Sequence, residues 1–361
     1  MPHNTKSMDN TLNIKDNHVQ IGGRKSKLAV VQSEIVKECI VEKFPELSCS
    51  VLALSTLGDK VQSKPLYSFG GKALWTKELE ILLLEQVDEY PRLDLIVHSL
   101  KDIPTNLPEE FELGCILNRE DARDALVMKS GSSYKSLADL PDGSLVGTSS
   151  VRRSSQLLKN HPKLRFESVR GNLQTRLNKL DDKDSPFECL LLASAGLMRI
   201  GLGDRITAHL DAPEMYYAVG QGALGIEIRK GDEKMLQLLK TIENLPTTYC
   251  CLAERSLMRH LEGGCSVPIG VQSHYNESTN ELSLKAIIVS PDGIHFVEDE
   301  YKGVVNNKDD ADAVGIKVGD LLSAKGGREI LNSINFERIN LPPSSSTPTP
   351  QPITPITTNN S

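Results

Sequence analysis

Apolar runs and helical periods alternate along the first hundred residues of the chain. Val19–Gly23, Ser48–Leu54 and Leu93–His98 are short and apolar, which predicts three strands. The residues from Leu28 to Cys39 and those from Thr76 to Glu89 carry apolar side chains at helical spacing, which predicts two helices. Strands that alternate with helices are typical of a parallel sheet covered by helices.

A second series of the same kind follows after residue 123. The pattern predicts strands at Ser144–Gly147, Leu164–Val169 and Glu188–Ala193, and helices that begin at Val151 and Asn172. The chain is therefore expected to contain a second α/β unit.

The last third of the chain has a different pattern. Thr247–Leu261 and Asp309–Lys325 have helical periods, and Leu282–Val289 and His295–Lys302 predict two strands paired around the turn Pro291-Asp292-Gly293. This order predicts a smaller α+β domain with an antiparallel sheet. The expected fold class is therefore α/β, with two units in which helices cover a sheet and with this smaller third domain.

The two ends of the chain lack these patterns. Met1–Asn17 is polar and interrupted by charged residues, which argues against a secretory signal. Pro342–Ser361 contains six prolines and no charged residue, a composition typical of disorder. We expect disordered tails at residues 1–17 and 336–361.

Composition narrows the class of function. A chain of 361 residues exceeds the usual length of one domain. A net charge of −7 and an aromatic content of 4% argue against nucleic-acid binding, and no apolar run is long enough to span a membrane. Several of the seven cysteines lie in apolar runs, which suits a reducing compartment, and neither they nor the eight histidines have metal-site spacing. We expect a cytoplasmic monomer without a metal, in which any anion recognition is local.

A lysine and an aspartate follow the apolar run that ends at His98. Lys101 and Asp102 would lie at the carboxyl end of that strand, where open α/β sheets bind their ligands. Asp102 is a candidate general acid or base, and its carboxylate could also stabilise positive charge that develops in a substrate. An ordinary surface turn is the alternative interpretation.

Further cations occur where other predicted strands are followed by helices. Arg152 and Arg153 lie in a first helical turn, where cations are unfavourable unless an anion is bound; solvated arginines are the alternative. Hydroxyl residues precede them and are expected to cap the helix, and helix amino ends attract anions. The candidates at these junctions are Arg24, Ser26, Thr148, Ser149, Ser150, Arg152, Arg153, Arg170, Arg176 and Arg199. Because arginine matches the geometry of a carboxylate, this set predicts a ligand with several carboxylates.

The run Glu262-Gly263-Gly264-Cys265-Ser266-Val267-Pro268 places a thiol on a short loop beside two glycines. Glycines remove side-chain bulk, and a thiolate is a strong nucleophile. Cys265 is therefore a candidate for carrying a covalent group through a thioether. A small buried apolar residue is the alternative interpretation.

The run Gly220–Gly225 matches the letters of a dinucleotide-binding fingerprint, GxGxxG. That fingerprint opens a helix after a strand, whereas Leu224–Arg229 is predicted to be a strand itself. A crossover that returns the chain to the first domain fits better, because glycines accept unusual backbone angles.

Six ordered motifs resemble the porphobilinogen deaminase (hydroxymethylbilane synthase) family. They are GRKSKLA at 23–29, VHSLKDIPT at 97–105, GTSSVRRSSQL at 147–157, VRGNLQTRL at 169–177, AVGQGALGIE at 218–227 and LEGGCSVPIG at 261–270. The similarity covers about residues 18–335. It departs from the family pattern at Gly23, where threonine is usual, and at Trp75, where phenylalanine is common. Gly23 is expected to loosen a turn that positions Arg24.

The resemblance implies two lobes related to periplasmic binding proteins, each with a doubly wound mixed sheet, and an active cleft between them. It also implies a smaller α+β third domain that presents Cys265. Domain 1 would comprise residues 18–119 and 220–243, domain 2 residues 120–219, and the cofactor-attachment domain residues 244–335. The family's mobile loop near the cleft matches residues 59–74.

The resemblance also implies a dipyrromethane cofactor joined to Cys265 by a thioether, and porphobilinogen as the substrate. Four substrate molecules would be condensed head to tail with release of ammonia, and hydrolysis would then release hydroxymethylbilane. Asp102 matches the family's catalytic aspartate. Positions matching cofactor contacts are Lys101, Asp102, Thr148, Ser149, Ser150, Arg152, Arg153, Arg176, Arg199 and Gln221, and positions matching substrate contacts are Arg24, Ser26 and Arg170.

Two other classes of function remain open from the residues alone. A noncatalytic carboxylate-binding module would use the same two-lobed fold, since function does not follow from fold. A nicotinamide-dependent oxidoreductase would use Gly220–Gly225. A covalently bound pyrrole would exclude both as the main activity.

Overall fold

The computed structural model describes residue 14 and residues 17–55, 77–261 and 267–334. Within these ranges the strands are β1 (His18–Arg24), β2 (Ser48–Leu54), β3 (Leu95–Ser99), β4 (Phe111–Ile116), β5 (Asp124–Met128), β6 (Leu145–Gly147), β7 (Arg165–Glu167), β8 (Cys189–Ala193), β9 (Ala208–Leu210), β10 (Leu224–Arg229), β11 (Ile269–Asn276), β12 (Glu281–Val289) and β13 (Phe296–Val304). The α-helices are α1 (Lys27–Lys43), α2 (Lys77–Leu84), α3 (Val151–Asn160), α4 (Leu173–Asp181), α5 (Ser194–Arg199), α6 (Glu233–Lys240), α7 (Leu245–His260), α8 (Lys308–Ala324) and α9 (Gly327–Asn332).

Five strands form the sheet of the first lobe in the order β2-β1-β3-β10-β4. β1 pairs in parallel with β2 and β3, whereas β10 runs antiparallel to β3 and β4. Alternate residues of β3 enter two cores: Leu95 and Val97 pack with residues of α1 and α6, and Ile96 packs with residues of α2. Burial on both faces explains why the first three residues of β3 are all apolar.

The second lobe repeats this arrangement in the order β7-β6-β8-β5-β9. β6 is parallel to β7 and β8, and β5 is antiparallel to β8 and β9. β5 is the first strand that the chain forms after it leaves the first sheet, because it follows β4, and β10 is the first that it forms on its return, because it follows β9. In each sheet this strand is the one that runs antiparallel to its neighbours. Residues 117–123 and 211–223 therefore form two crossovers between the lobes.

The two crossovers lie side by side. The Leu117 amide donates to the Leu224 carbonyl, and the Glu120 amide donates to the Gly222 carbonyl, both at 3.1 Å. Gly220 and Gly222 have φ angles of +71° and +88°, which side chains disfavour. Because strand β10 follows these glycines, the crossover interpretation of Gly220–Gly225 is confirmed and the dinucleotide fingerprint is not supported.

The third domain is an antiparallel sheet in the order β11-β12-β13 with α7 and α8 packed against it. Leu257 of α7, Val318 of α8 and Leu284 of β12 share its core. Asn244 and Asn307 begin the two helices, because each side chain accepts a hydrogen bond from a first-turn amide. The predicted antiparallel pairing of the last strands is confirmed.

The hydrophobic pattern predicts β2 and β10 with the bounds that the structure has. The helix predicted at Thr76–Glu89 is wrong at its end. α2 stops at Leu84, and Val87 pairs with Tyr90 in an isolated antiparallel bridge, because Asp88 between them has a φ of +49° that no α-helix accommodates. The pattern did not predict β4, β5, β9 or β11.

The expected role of Gly23 is also corrected. Gly23 lies within β1 opposite Ala53 rather than in a turn. A Cβ at this position would collide with the Ser33 side-chain oxygen of α1. The glycine therefore lets α1 pack closely on the sheet. The expected tail at residues 1–17 is wrong at Ile14, which is buried in the core of the first lobe. The expectations for residues 1–13, 15 and 16, the loop at 59–74, Trp75 and the tail from 336 lie outside the described residues.

Two features are absent from the described ranges. None of their helices is long and apolar enough to cross a bilayer, and no group of three or more histidine, cysteine, aspartate and glutamate side chains is arranged to hold a metal ion. The cysteines that the structure describes are free thiols.

Replacing Gly222 by alanine should lower the free energy of unfolding by more than the about 1–2 kcal/mol that a left-handed backbone angle costs. The added Cβ would also collide with the Glu120 carbonyl oxygen of the adjacent crossover. Gly231→Ala is the matched control, since Gly231 has a φ of +74° and open space where a Cβ would lie. Urea unfolding of both variants tests this expectation, and equal losses of stability would contradict it.

Candidate active site at the lobe interface

The carboxyl ends of the parallel strands carry the polar residues that the sequence singles out. In the first lobe, Arg24 is the last residue of β1, and Lys101 and Asp102 lie in a single 3-10 turn after β3. In the second lobe, residues 148–150 lead from β6 into α3, and residues 168–172 lead from β7 into α4. Parallel pairing gathers these groups at one edge of each sheet.

The two edges face each other across the crossovers. α1 of the first lobe contacts α5 of the second, and a Cβ built on Gly196 would lie 3.6 Å from Cδ2 of Leu28. The Arg176 guanidinium of α4 is within electrostatic reach of the Asp102 carboxylate in the first lobe. The structure therefore brings the strand-end residues of both lobes into one region.

A buried carboxylate organises the second-lobe side of this region. Asp124, the first residue of β5, is inaccessible to solvent. Its Oδ2 accepts from Arg152 Nη1 at 2.7 Å, and its Oδ1 accepts from Arg153 Nη2 at 2.7 Å and from Gln221 Nε2 at 2.9 Å. Burial alone would raise the pKa of Asp124, but the two arginines outweigh burial and hold that pKa well below its usual range.

The amide of Gln221 extends this network to the first lobe. Its Nε2 also donates to the Ala122 carbonyl at 2.7 Å, and its Oε1 accepts from Lys101 Nζ at 3.4 Å. Burial lowers the pKa of Lys101 to about 8, with the cations of Arg153 and Arg152 adding to the effect and the carboxylates of Asp102 and Asp124 opposing it. Burial therefore lowers the pKa of Lys101 although the two nearby carboxylates act more strongly on it than the two arginines.

Arg176, in contrast to Lys101, has mainly cations around it. Its Nε donates to the Gly171 carbonyl at 2.8 Å, and this is the hydrogen bond that the described residues show for its guanidinium. Burial, together with the cations of Arg153 and Arg170, lowers the pKa of Arg176 to about 10, although Asp102 opposes this shift. A guanidinium crowded by other cations favours an added anion.

The amino end of α3 lies beside these cations. Ser150 occupies the N-cap position, but its side chain makes no capping hydrogen bond, contrary to the expected cap. Thr148 Oγ1 instead accepts from the Ser150 amide at 3.2 Å, and Ser149 Oγ donates to the Val169 carbonyl at 2.8 Å. No side chain thus caps the first turn of α3 within the described chain, and the dipole of this turn favours an anion.

The remaining candidates have structural contacts in the same region. Ser26 caps α1 by accepting from the Ala29 amide at 3.3 Å. Arg199, the last residue of α5, donates from Nη2 to the Gly222 carbonyl at 2.7 Å, and burial lowers its pKa against the opposing charge of Glu120. The side chains of Arg24 and Arg170 are partly buried.

Cys265 lies outside the described residues, so the structure does not test its predicted position. The described chain on either side of it packs into the third domain, since Leu261 is buried in the core and Val267 packs against that core. α7 leads directly to this segment.

A second buried ion pair ties both crossovers to the third domain. Arg119 donates from Nη1 and Nη2 to the two carboxylate oxygens of Glu254, at 2.7 and 3.1 Å, and from Nε to the Gln221 carbonyl at 2.7 Å. The Gly220 amide donates to Oε2 of Glu254 at 2.8 Å. Burial acts to lower the pKa of Arg119, but the Glu254 carboxylate outweighs it and raises that pKa. α7 therefore holds both crossovers at one point.

Sequence reasoning missed Asp124, Arg119 and Glu254. The available signal was a charged residue at the edge of an apolar run, since Asp124 precedes Ala125–Met128. The two first-turn arginines, which predicted a bound anion, pair in the structure with the protein's own Asp124 carboxylate. The arrangement as a whole suits a ligand with several carboxylates, with Asp102 as a nearby acidic group.

Two family models match the chain. The model "Porphobilinogen deaminase, dipyromethane cofactor binding domain" matches residues 19–237, and the model "Porphobilinogen deaminase, C-terminal domain" matches residues 248–324. Together they span both lobes and the third domain.

Curated relatives are similar over their whole length. Porphobilinogen deaminase of Debaryomyces hansenii is 98% identical over 361 residues, which is 100% of each chain. The Candida albicans protein of the same name is 69% identical, and the match covers 94% of this chain and 97% of that protein. The Saccharomyces cerevisiae protein of the same name is 61% identical, and the match covers 89% of this chain and 98% of that protein.

Similar solved structures include the periplasmic VFT2 domain of BvgS from Bordetella pertussis, with a TM-score of 0.35, 9% identity, and coverage of 63% of this chain and 87% of that one. The L-cystine solute receptor of Neisseria gonorrhoeae has a TM-score of 0.34 and 15% identity, and the match covers 69% of this chain and 94% of that one. The order and direction of the strands define the two lobes of this chain.

Asp124→Asn should destabilise the protein at neutral pH by about 3–5 kcal/mol, because it leaves two buried guanidinium groups without their carboxylate. The depressed pKa of Asp124 gives stability that is present above the unfolded-state pKa and lost as the pH falls below it. The difference in the free energy of unfolding between the variant and the parent protein should therefore become smaller below about pH 4. Urea midpoints across this pH range measure it.

The matched control is Asp142→Asn, which breaks an exposed ion pair with Lys163. Its urea midpoint should stay close to that of the parent at every pH. An Asp124→Asn variant with the same behaviour as this control would contradict the organising role of Asp124.

Proposed function

The chain belongs to the porphobilinogen deaminase family, and from that premise we propose which of its residues carry out the family's reaction. The chain has hydroxymethylbilane synthase activity: with a dipyrromethane cofactor it condenses four porphobilinogen molecules head to tail, releases ammonia, and forms hydroxymethylbilane by hydrolysis. The observation that supports the residue assignment is the Lys101–Gln221–Asp124 network, which joins two facing cationic edges.

The described residues fit a dipyrromethane. This group has two pyrrole rings, each with an acetate and a propionate, so its site must balance four carboxylates. Burial lowers the pKa of Lys101, and burial together with the cations of Arg153 and Arg170 lowers the pKa of Arg176. Added carboxylates would stabilise the charged forms of these two buried side chains.

We assign the cofactor carboxylates to Lys101, Arg176 and the amino end of α3. Arg152, Arg153 and Gln221 contribute through the Asp124 network, which orients this end of the helix. The full proposed cofactor-binding set is Lys101, Asp102, Thr148, Ser149, Ser150, Arg152, Arg153, Arg176, Arg199 and Gln221. The proposed substrate-binding set is Arg24, Ser26 and Arg170.

Asp102 is the proposed catalytic residue. Loss of ammonia from porphobilinogen leaves a cation whose charge is shared with the pyrrole nitrogen. The bound dipyrromethane supplies the α carbon that attacks this cation. The Asp102 carboxylate stabilises the positive charge and assists proton transfer, while Lys101 and Arg176, both within its electrostatic reach, hold carboxylates beside it.

Cys265 is the proposed attachment point, through a thioether between its sulfur and the dipyrromethane. The support is chemical: a thiolate is a strong nucleophile, and this thiol follows two glycines. Its segment is continuous with α7, which also contacts the crossovers through Glu254.

We also propose that the chain acts as a monomer in the cytoplasm. Support for the compartment comes from the free thiols of the described cysteines, which suit a reducing environment. Light scattering of the purified protein measures the oligomeric state, and fractionation of cells locates the protein.

Cys265→Ala should prevent attachment of the cofactor, because it removes the sulfur that forms the thioether. The intact mass of the purified parent should exceed its sequence mass by one dipyrromethane, and that of the variant should not. Cys49→Ala is the matched control, since it removes a partly buried thiol from β2 and should keep the adduct. A dipyrromethane that remains bound to Cys265→Ala would refute the assignment, and peptide mapping would locate its true position.

The value of kcat/KM for porphobilinogen should fall as the pH rises above about 8, the pKa to which burial lowers Lys101. The lysine loses its positive charge as the pH rises through its pKa, and bound carboxylates can only move that pKa upward. Lys101→Arg keeps its charge and should shift the alkaline decline to higher pH or remove it. An unchanged decline in Lys101→Arg would contradict this role for Lys101.

A further inference from the structure

One face of α7 lies against the turn that carries Lys101 and Asp102. Arg255 is only 4% exposed, and it donates from Nη1 to the Ile103 carbonyl at 3.1 Å and from Nη2 to the Pro104 carbonyl at 2.7 Å. Cys251, one helical turn earlier on the same face, packs in a cluster with Leu100 and Ile103. The third domain thus contacts this turn through both an apolar and a charged side chain.

The turn is held at both ends. At its start, the Leu100 amide donates to the Ala223 carbonyl of the second crossover at 2.9 Å, and the Ile103 amide closes the turn on the Leu100 carbonyl at 3.1 Å. At its end, Arg255 holds the next two carbonyls. Within the described residues no hydrogen bond fixes the Asp102 carboxylate itself, so the backbone of this turn determines where that carboxylate points.

The chemistry of the contact requires an arginine. A guanidinium is planar and has separate nitrogens, so it can donate to two neighbouring carbonyls at once with charge-assisted hydrogen bonds. A lysine ammonium is a point charge that reaches one such carbonyl well. Removing the guanidinium would leave the carbonyl oxygens of Ile103 and Pro104 without these hydrogen-bond donors in a buried region. The backbone of the turn could then move to a different conformation.

We propose that Arg255 is a positioning residue, which holds the Asp102 carboxylate in the correct position relative to the group that the third domain carries. This inference rests on the proposed function, because it takes Asp102 as the catalytic carboxylate and Cys265 as the attachment point. α7 ends at His260, just before the segment that contains Cys265. Arg255 therefore connects the turn of Asp102 to the helix that leads to the attachment segment.

The kinetic consequence differs from that of a lost carboxylate contact. Within the described residues, the hydrogen bonds of Arg255 go to the backbone beside Asp102 and not to the side chains assigned to substrate carboxylates. Its loss should lower kcat by about 10- to 100-fold, the range expected when a reacting group is displaced by about 1 Å, and should leave KM for porphobilinogen within about twofold.

The test is a double-mutant cycle in the holoenzyme between Arg255→Met and Asp102→Asn. Methionine retains much of the length and apolar stem of arginine without its donors. If Arg255 acts through Asp102, Arg255→Met should lower kcat strongly in the parent but by less than about twofold in the Asp102→Asn background. Intact mass confirms that each variant carries its dipyrromethane, and Arg255→Lys should recover part of the lost kcat.

Arg259→Met is the matched control. Arg259 lies one turn further along α7 and pairs with Asp312 of α8, at 3.1 and 3.2 Å, within the third domain. This variant loses a comparable charged contact of the same helix but none to the Asp102 turn, so its kcat should stay within about twofold of the parent.

Three results would overturn the inference. The first is an Arg255→Met enzyme with normal kcat beside an impaired Asp102→Asn enzyme, which would refute the inference and leave the proposed function intact. The second is an equal loss of kcat in both backgrounds, which would show that Arg255 acts independently of Asp102. The third is normal turnover of Asp102→Asn, which would refute the proposed catalytic residue and the inference together.

Discussion

The buried carboxylate of Asp124 is the group on which the arrangement of the cleft depends. It is inaccessible to solvent, and an ion at that depth costs several kcal/mol unless donors surround it. Arg152, Arg153 and Gln221 are those donors, so the amino end of α3 and the second crossover must both meet the first residue of β5. Lys101 joins the same network through Gln221, which brings in the first lobe.

The third domain holds the two lobes through buried charges as well as through apolar packing against the crossovers. Glu254 accepts from Arg119 of the first crossover and from the Gly220 amide of the second, and the neighbouring Arg255 holds the turn after β3. Consecutive residues of one helix thus bind the connection between the lobes and the loop of the proposed catalytic residue. Any lengthening of a bound pyrrole chain must be accommodated around this fixed point.

The sequence pattern predicted the layers of the fold well, because strands buried on both faces and amphipathic helices leave strong local periodicities. Ser48–Leu54 and Leu224–Arg229 have the bounds that their apolar runs predict. The end of α2 was wrong, since the positive φ of Asp88 is a backbone feature that periodicity does not encode. Strand β5 was missed although its residues are apolar, and with it the carboxylate that organises the site.

The sequence by itself determined which residues gather at the strand ends, because a residue that directly follows a parallel strand must lie at the carboxyl edge of its sheet. Its motifs also determined the family. Only the tertiary structure decided how these cations are used: Arg152 and Arg153 pair with Asp124, 28 and 29 positions earlier in the chain, whereas burial lowers the pKa values of Lys101 and Arg176. Local spacing encodes neighbours within one element, but a charge pair between two separate elements of a lobe exists only once the chain has folded.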